Sequence, residues 1–193
     1  MNFTDHILQR YDVLCDFYLQ GVWETVPDDL MRLRPHPNVN SIVWNLWHLT
    51  RVDDAGLNRF VVDRSQILDE GRWMEKMNAP YRHHGTGMTF PEVDELSQRI
   101  DLAALHDYSR AVQTRTREVV MQLELEDLSD VLQPERVRMV VIDEGLAHSQ
   151  ANELATNYTG WTRGRYLMSF CLTHPYQHVG EIGVIASLLG VEF

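Results

Sequence analysis

Apolar residues recur along this chain at steps of three and four. Ile7, Leu8, Tyr11, Leu14, Cys15, Tyr18 and Val22 fall on one stripe of a 3.6-residue helix. Thr4 is placed to cap it, and Pro27 with the acids after it marks its exit. Arg34-Pro-His-Pro37 forces extended backbone, after which Asn40 or Ser41 can cap a second helix running to about Arg64. There the apolar pattern (Ile42, Trp44, Leu46, Trp47, Val52, Ala55, Phe60) is wide, as in a well-buried helix. Residues 65–88 lose the periodicity and collect Gly71, Asn78, Pro80, Gly85 and Gly87, so they read as a long excursion. Thr89-Phe-Pro-Glu92 has the form of a capping box with proline in the first turn. Asp101 is placed to cap a longer piece carrying Leu102, Leu105, Tyr108, Val112, Val119 and Leu123. Residues 125–164 are irregular, with a short helix expected around 143–155. A last stripe runs through Leu167, Cys171, His174, His178, Ile182, Ile185 and Leu189 and closes at Gly190.

Four long helices, no period-2 alternation and no repeat predict an all-α fold, a four-helix bundle with long crossover connections. A connection of about 25 residues can travel the length of a helix, so the second and third helices are expected to run parallel rather than as a simple up-and-down pair. The 193 residues suit one domain, 1–193. With 28 acidic against 17 basic residues the formal net charge is -11, which repels a phosphate backbone, so no nucleic-acid partner is expected. No apolar run approaches the ~18 residues needed to span a bilayer, and the first dozen residues carry acid where a signal peptide would have a basic and then an apolar region. A soluble, cytoplasmic protein is expected, with no membrane partner. Two cysteines, Cys15 and Cys171, exclude a disulfide framework. Wide apolar faces on outer helices would suit a homodimer.

The chemistry concentrates in His174-Pro-Tyr-Gln-His178. Residues four apart on a helix sit ~6 Å apart along the axis and near one another round it, a chelating spacing. Both lie on the inward stripe of the last helix. Trp44, His48, Val52 and Ala55 share one face of the second, so His48 points inward too. Three inward imidazoles left unpaired would cost several kcal/mol, and a divalent ion removes that cost. Three neutral imidazoles leave a position for water or a small-molecule substrate, which is the arrangement of a catalytic rather than a structural ion, and they suit zinc, nickel or iron. Rival signatures are absent: no Glu-x-x-His of a di-iron bundle, no His-Glu-x-x-His, no Cys-x-x-Cys-His, no Gly-x-Ser-x-Gly and no full Gly-x-Gly-x-x-Gly.

Asn40-Ser-Ile-Val-Trp-Asn-Leu-Trp-His48-Leu-Thr-Arg-Val-Asp-Asp54, together with His174-Pro-Tyr-Gln-His178-Val-Gly-Glu-Ile182, resembles the DinB-like superfamily of metal-binding four-helix bundles. The resemblance extends through Trp73–Pro80 and Gly87–Glu92. It implies an ion held by His48 from the second helix and His174 and His178 from the last. It also implies a thiol-dependent S-transferase or related enzyme, using a low-molecular-weight thiol. The other reading is a non-catalytic metal or small-ligand binding protein with a structural ion. Such a thiol usually carries carboxylates, so Arg51 is a candidate anchor, against a surface arginine paired with Asp53 or Asp54. Glu181 is a candidate to orient an imidazole or to act as a base, against a solvated carboxylate. Pro175 inside the helix removes an N–H and is expected to kink the turn at His174. Cys171 and Cys15 read as packing, His83 and His84 as a solvated loop, and His148 as unremarkable.

Overall fold

The computed structural model describes residues 3–192, and among these the chain is helical and turn with no strand. Four long helices dominate. The first, α1 (residues 3–25), is α-helical at Phe3–Asp12 and Gln20–Thr25 and widens to a π-helix at Val13–Leu19. It is already wound at Phe3, so Thr4 lies within the first turn rather than before it. Val26 is extended, as the residue before a proline tends to be, and ends the helix. The second, α2 (residues 42–61), is capped by Ser41, whose Oγ accepts from Trp44 N–H at 2.9 Å. Every residue of its Ile42–Ala55 portion is buried, which explains the breadth of the apolar pattern. It stops at Val61, three residues before the expected end.

The capping box at Thr89 and Glu92 forms and starts a helix at Phe90–Arg99. The chain breaks at Ile100, Asp101 caps Ala104 N–H at 2.8 Å, and α3 (Leu102–Gln122) follows. The short helix expected around 143–155 is displaced. A helical stretch occupies residues 134–143, and two short turns follow at Ser149–Ala151 and Leu154–Tyr158. Pro134 in its first turn is the signal for the earlier start. The last, α4 (residues 163–188), is capped by Thr162 and ends before Gly190, whose φ is +79°.

Residue pairs give the directions. Arg51 meets Tyr108 and Asn58 meets Arg115, so α2 and α3 ascend together and touch. Asn45 meets His178 and Gly56 meets Phe170, so α4 runs opposite to α2. Asp12 meets Arg117 and Trp23 meets His106, so α1 runs opposite to α3. A Cβ at Gly56 would sit 2.5–2.9 Å from the Phe170 ring, so only glycine lets α2 and α4 approach this closely. Pro175 does not break α4, because the turn before it is a π turn, Ser169–Thr173, in which His174 N–H donates to Ser169 carbonyl. The wider turn makes room where a proline ring would otherwise meet the preceding carbonyl.

Beside the apolar core α2 carries a buried ionic network. Arg51 is 1% exposed. Its guanidinium donates to Asp54 Oδ2 (3.2 Å), Tyr108 hydroxyl (3.0 Å), Gln66 Oε1 (2.8 Å) and Arg82 carbonyl (3.1 Å). Asp54 in turn accepts from Ile67 and Leu68 N–H at 2.8 and 3.0 Å, pinning the excursion to the core. Removing one member of a buried ion pair strands the other. Arg51→Ala is therefore expected to cost about 3–5 kcal/mol in urea unfolding, and a loss below about 1 kcal/mol would contradict this account.

Candidate metal centre

His48 comes from the middle of α2, and His174 and His178 from one face of α4. His48 and His178 are buried and His174 half-buried. The three Nε2 atoms face one another: His48 to His174 at 3.2 Å and His178 to His174 at 3.1 Å. Among the described residues this is the one group of three or more His, Cys, Asp or Glu side chains whose ligand atoms converge, all within 4.8 Å of one another.

The outer ring nitrogens decide the tautomers. His48 Nδ1 abuts the carbonyl of His84, which can only accept, so Nδ1 carries the proton and Nε2 a lone pair. His178 Nδ1 lies 2.8 Å from both Asn45 Oδ1 and Glu181 Oε2. Asn45 Nδ2 is held by Ser41 carbonyl at 3.0 Å, which fixes its oxygen toward the ring. His178 Nε2 therefore also presents a lone pair. His174 Nε2 lies between two acceptors and can donate to only one of them. No protonation pattern of three neutral rings satisfies the cluster, whereas one cation at its centre satisfies all three. At about 2.0–2.1 Å from each nitrogen, ligand atoms would be about 2.9 Å apart at right angles and about 3.4 Å apart in a tetrahedron; the two separations to His174 Nε2, 3.2 and 3.1 Å, fall between, and all three atoms lie within 4.8 Å of one another. The residues present fit a divalent ion.

The electrostatics favour neutral rings at His48 and His174. Burial, with the neighbouring imidazoles second, pushes His48 well below the ordinary histidine value. Burial pushes His174 down to about 4. The Trp44 ring stacks on His48 with centroids 4.6 Å apart and planes within 9°, fixing its orientation. His174 lacks such support: its Nδ1 is buried with no partner.

Arg51 is committed to the network described above, and a ligand carboxylate would have to displace those contacts to reach it. Glu181 is 55% exposed and holds His178 from the solvent side. Cys171 stays out of the cluster, and burial, with the buried Asp53 nearby, pushes its thiol well above the ordinary value. His84 departs from the solvated loop expected of it. It is 2% exposed, with its N–H on Leu146 carbonyl at 2.9 Å and its own carbonyl on His48. Burial is the main reason its ring is pushed down to about 3. Gly85 follows with φ +97°, and a Cβ there would lie 2.9 Å from Trp44 Nε1, so the loop closes over the site only with glycine in that position. His148 is less plain than expected: its ring meets His83 at 5.1 Å and its Nε2 lies 3.4 Å from Glu92. Asn45 and Trp44 lie three and four residues before His48, one helical turn, and that spacing was the available signal for both. The role of His84 rests on its backbone carbonyl, for which side-chain chemistry gives no sign.

Among the described residues no helix is long and apolar enough to cross a membrane. No curated protein is matched significantly by this sequence. A crystal structure of a conserved protein from Enterococcus faecalis is similar in fold, with a TM-score of 0.71 over 98% of this chain and 99% of that one, at 18% identity. The model of the DinB superfamily matches residues 18–182, a span that includes all three converging histidines, and the chain belongs to that superfamily.

Proposed function

We propose that this protein is a metal-dependent enzyme in which His48, His174 and His178 hold one zinc, nickel or iron ion, and that it transfers a low-molecular-weight thiol to a small electrophilic substrate. The observation that carries the reading is the pair of fixed tautomers: two buried rings turned so that their lone pairs meet, with a third ring unable to satisfy both. Three protein ligands leave room for an exogenous one, the arrangement of catalytic sites. A divalent ion held there supplies Lewis acidity, lowering the pKa of a thiol so that its sulfur is anionic at neutral pH. The chain's own part is positional. His84 carbonyl and Asn45 hold the protons of His48 and His178 at Nδ1, and Glu181 adds a carboxylate to His178 that makes its ring a stronger donor. Trp44 and the 84–88 loop pack round His48 and restrict water there.

The direct test loads the protein with each metal and measures consumption of an electrophile, 1-chloro-2,4-dinitrobenzene, in the presence of a panel of small thiols. Metal-dependent transfer with at least one thiol is expected. An ion with four protein ligands and no turnover with any thiol would instead make it structural. The double variant His174→Ala/His178→Ala should lose stoichiometric metal by elemental analysis while keeping its helical circular dichroism, and retained metal would overturn the ligand assignment. Glu181→Ala should weaken metal affinity about tenfold in chelator competition, the low end of the range for such partners because Asn45 remains.

The metal-free protein should be acid-sensitive in a defined window. His48, His83, His84 and His174 all have folded pKa values below the ordinary 6.5, mainly through burial, with His83 and His174 near 4 and His84 near 3. The unfolded chain thus binds protons first. The stability these groups contribute is complete above 6.5 and is lost as pH falls toward 4. Asp53 acts the other way: burial raises it to about 6, so its contribution is complete at low pH and fades as pH rises through 6. One carboxylate against these four imidazoles, with His106 also lowered by partial burial, leaves a net loss. Between pH 6.5 and 5 the urea midpoint should fall, each neutral histidine contributing up to about 1.4 kcal/mol per pH unit. A midpoint that stays flat or rises would contradict the buried neutral cluster.

A further inference from the structure

A cleft of about 320 Å³ lies where the end of α2, the segment 130–136 and the start of α4 meet. Its volume is at the low end of small-molecule sites, about 300–1,000 Å³. It is eleven residues along α2 from His48, about 16 Å at 1.5 Å per residue, so it is separate from the histidine cluster. The segment is stapled in place by a bridge between Val131 and Thr162 and by Arg163 N–H on Asp130 carbonyl at 2.8 Å. Arg59, Arg136 and Arg163 line the cleft with Asp63 and Asp130, and Val131 and Leu132 supply apolar lining, Val131 being 52% exposed. Three of only 17 basic residues thus gather in one concavity of a chain whose net charge is -11.

The arginines are unequally committed. Arg59 grips Glu144 through two bonds, at 2.6 and 2.8 Å. Arg136 gives one terminal nitrogen to Asp63 and to Arg59 carbonyl. Arg163 approaches Asp130 only to 3.8 Å, and that carboxylate is 59% exposed. The Nε atoms of Arg136 and Arg163 are both buried and have no acceptor at all. Buried donors almost always have a partner, and a charged one left dry is costly. The two terminal nitrogens of a guanidinium form a fork that fits two oxygens of one carboxylate or phosphate, and the Arg163 side chain, about a third exposed, has only that 3.8 Å contact with Asp130 to hold it. Arg163 is also the first residue of α4, so the positive end of that helix dipole adds to the field.

We propose that this cleft binds a small oxyanion, a phosphate or carboxylate borne on an apolar body, through the terminal guanidinium nitrogens of Arg163, with Arg136 adding its charge and the apolar part lying against Val131 and Leu132. Asp130 is the displaceable gate: it leaves Arg163 when the ligand enters.

Phenyl phosphate and phenylacetate are the probes, titrated calorimetrically into the metal-loaded protein and into protein stripped by a chelator. Saturable millimolar or tighter binding is expected in both forms. The tighter of the two probes tells whether the site is built for a phosphate ester or a carboxylate. Arg163→Gln should weaken binding about tenfold or more, the usual worth of a hydrogen bond from a charged donor. Asp130→Asn, which removes the competing charge and leaves the backbone staple, should tighten it, and decides the matter even if the arginine variant fails to fold. Absence of saturable binding by either probe, binding unchanged by both substitutions, or binding lost when the metal is removed would each overturn the proposal.

Discussion

The chemistry of this protein depends on two hydrogen bonds made on the far side of the histidines from the site itself. An imidazole has one proton and two places for it. With His84 carbonyl on one ring and Asn45 on the other, the protons of His48 and His178 are held at Nδ1, and their lone pairs are turned inward. Each of those lone pairs lies about 3 Å from His174 Nε2, which has at most one proton to give, so one buried acceptor is left without a partner unless something positive sits between them. The convergence of the rings is thus a constraint imposed by the surrounding scaffold. It is set by residues that would not themselves touch an ion.

That scaffold is α2. Along two and a half turns it carries Asn45, His48, Arg51, Asp53 and Asp54, all buried and all hydrogen-bonded to a different part of the chain. Arg51 and Asp54 anchor the excursion and α3. Asp53 accepts from Tyr11 of α1 and Thr116 of α3. The same excursion then returns His84 to His48. Burying this many polar groups in one helix is costly unless every one is paired, and the pairing is what fixes the position of the loop over the histidines. The π turn before His174 serves the same end on α4. It lets Pro175 sit inside a continuous helix, so that His174 and His178 keep their four-residue spacing.

Much of this was legible in the order of residues. The 3.6-residue periodicity located the four long helices, the Thr89 capping box located the break before α3, and the inward stripes placed His48, His174 and His178 on facing surfaces. The rest was not legible, because it depends on where distant backbone lies. Arg51 looked like a surface cation or a ligand anchor until Gln66, Tyr108 and Arg82 carbonyl were brought to it from three segments. His84 looked solvated because it stands among glycines, but those glycines are what allow the loop to pack against Trp44. Pro175 was expected to disturb the turn at His174 through its missing N–H and its ring, and the disturbance takes the form of a π turn, which periodicity does not reveal.

The central claim is that the three Nε2 atoms share one ion. Diffraction from crystals of the metal-loaded protein, with data collected on either side of the absorption edges of zinc, nickel and iron, addresses it most directly. The account predicts a single strong anomalous peak bounded by His48, His174 and His178, with a further coordination position filled from outside the chain. A peak elsewhere, or stoichiometric metal with these three rings uncoordinated, would contradict it.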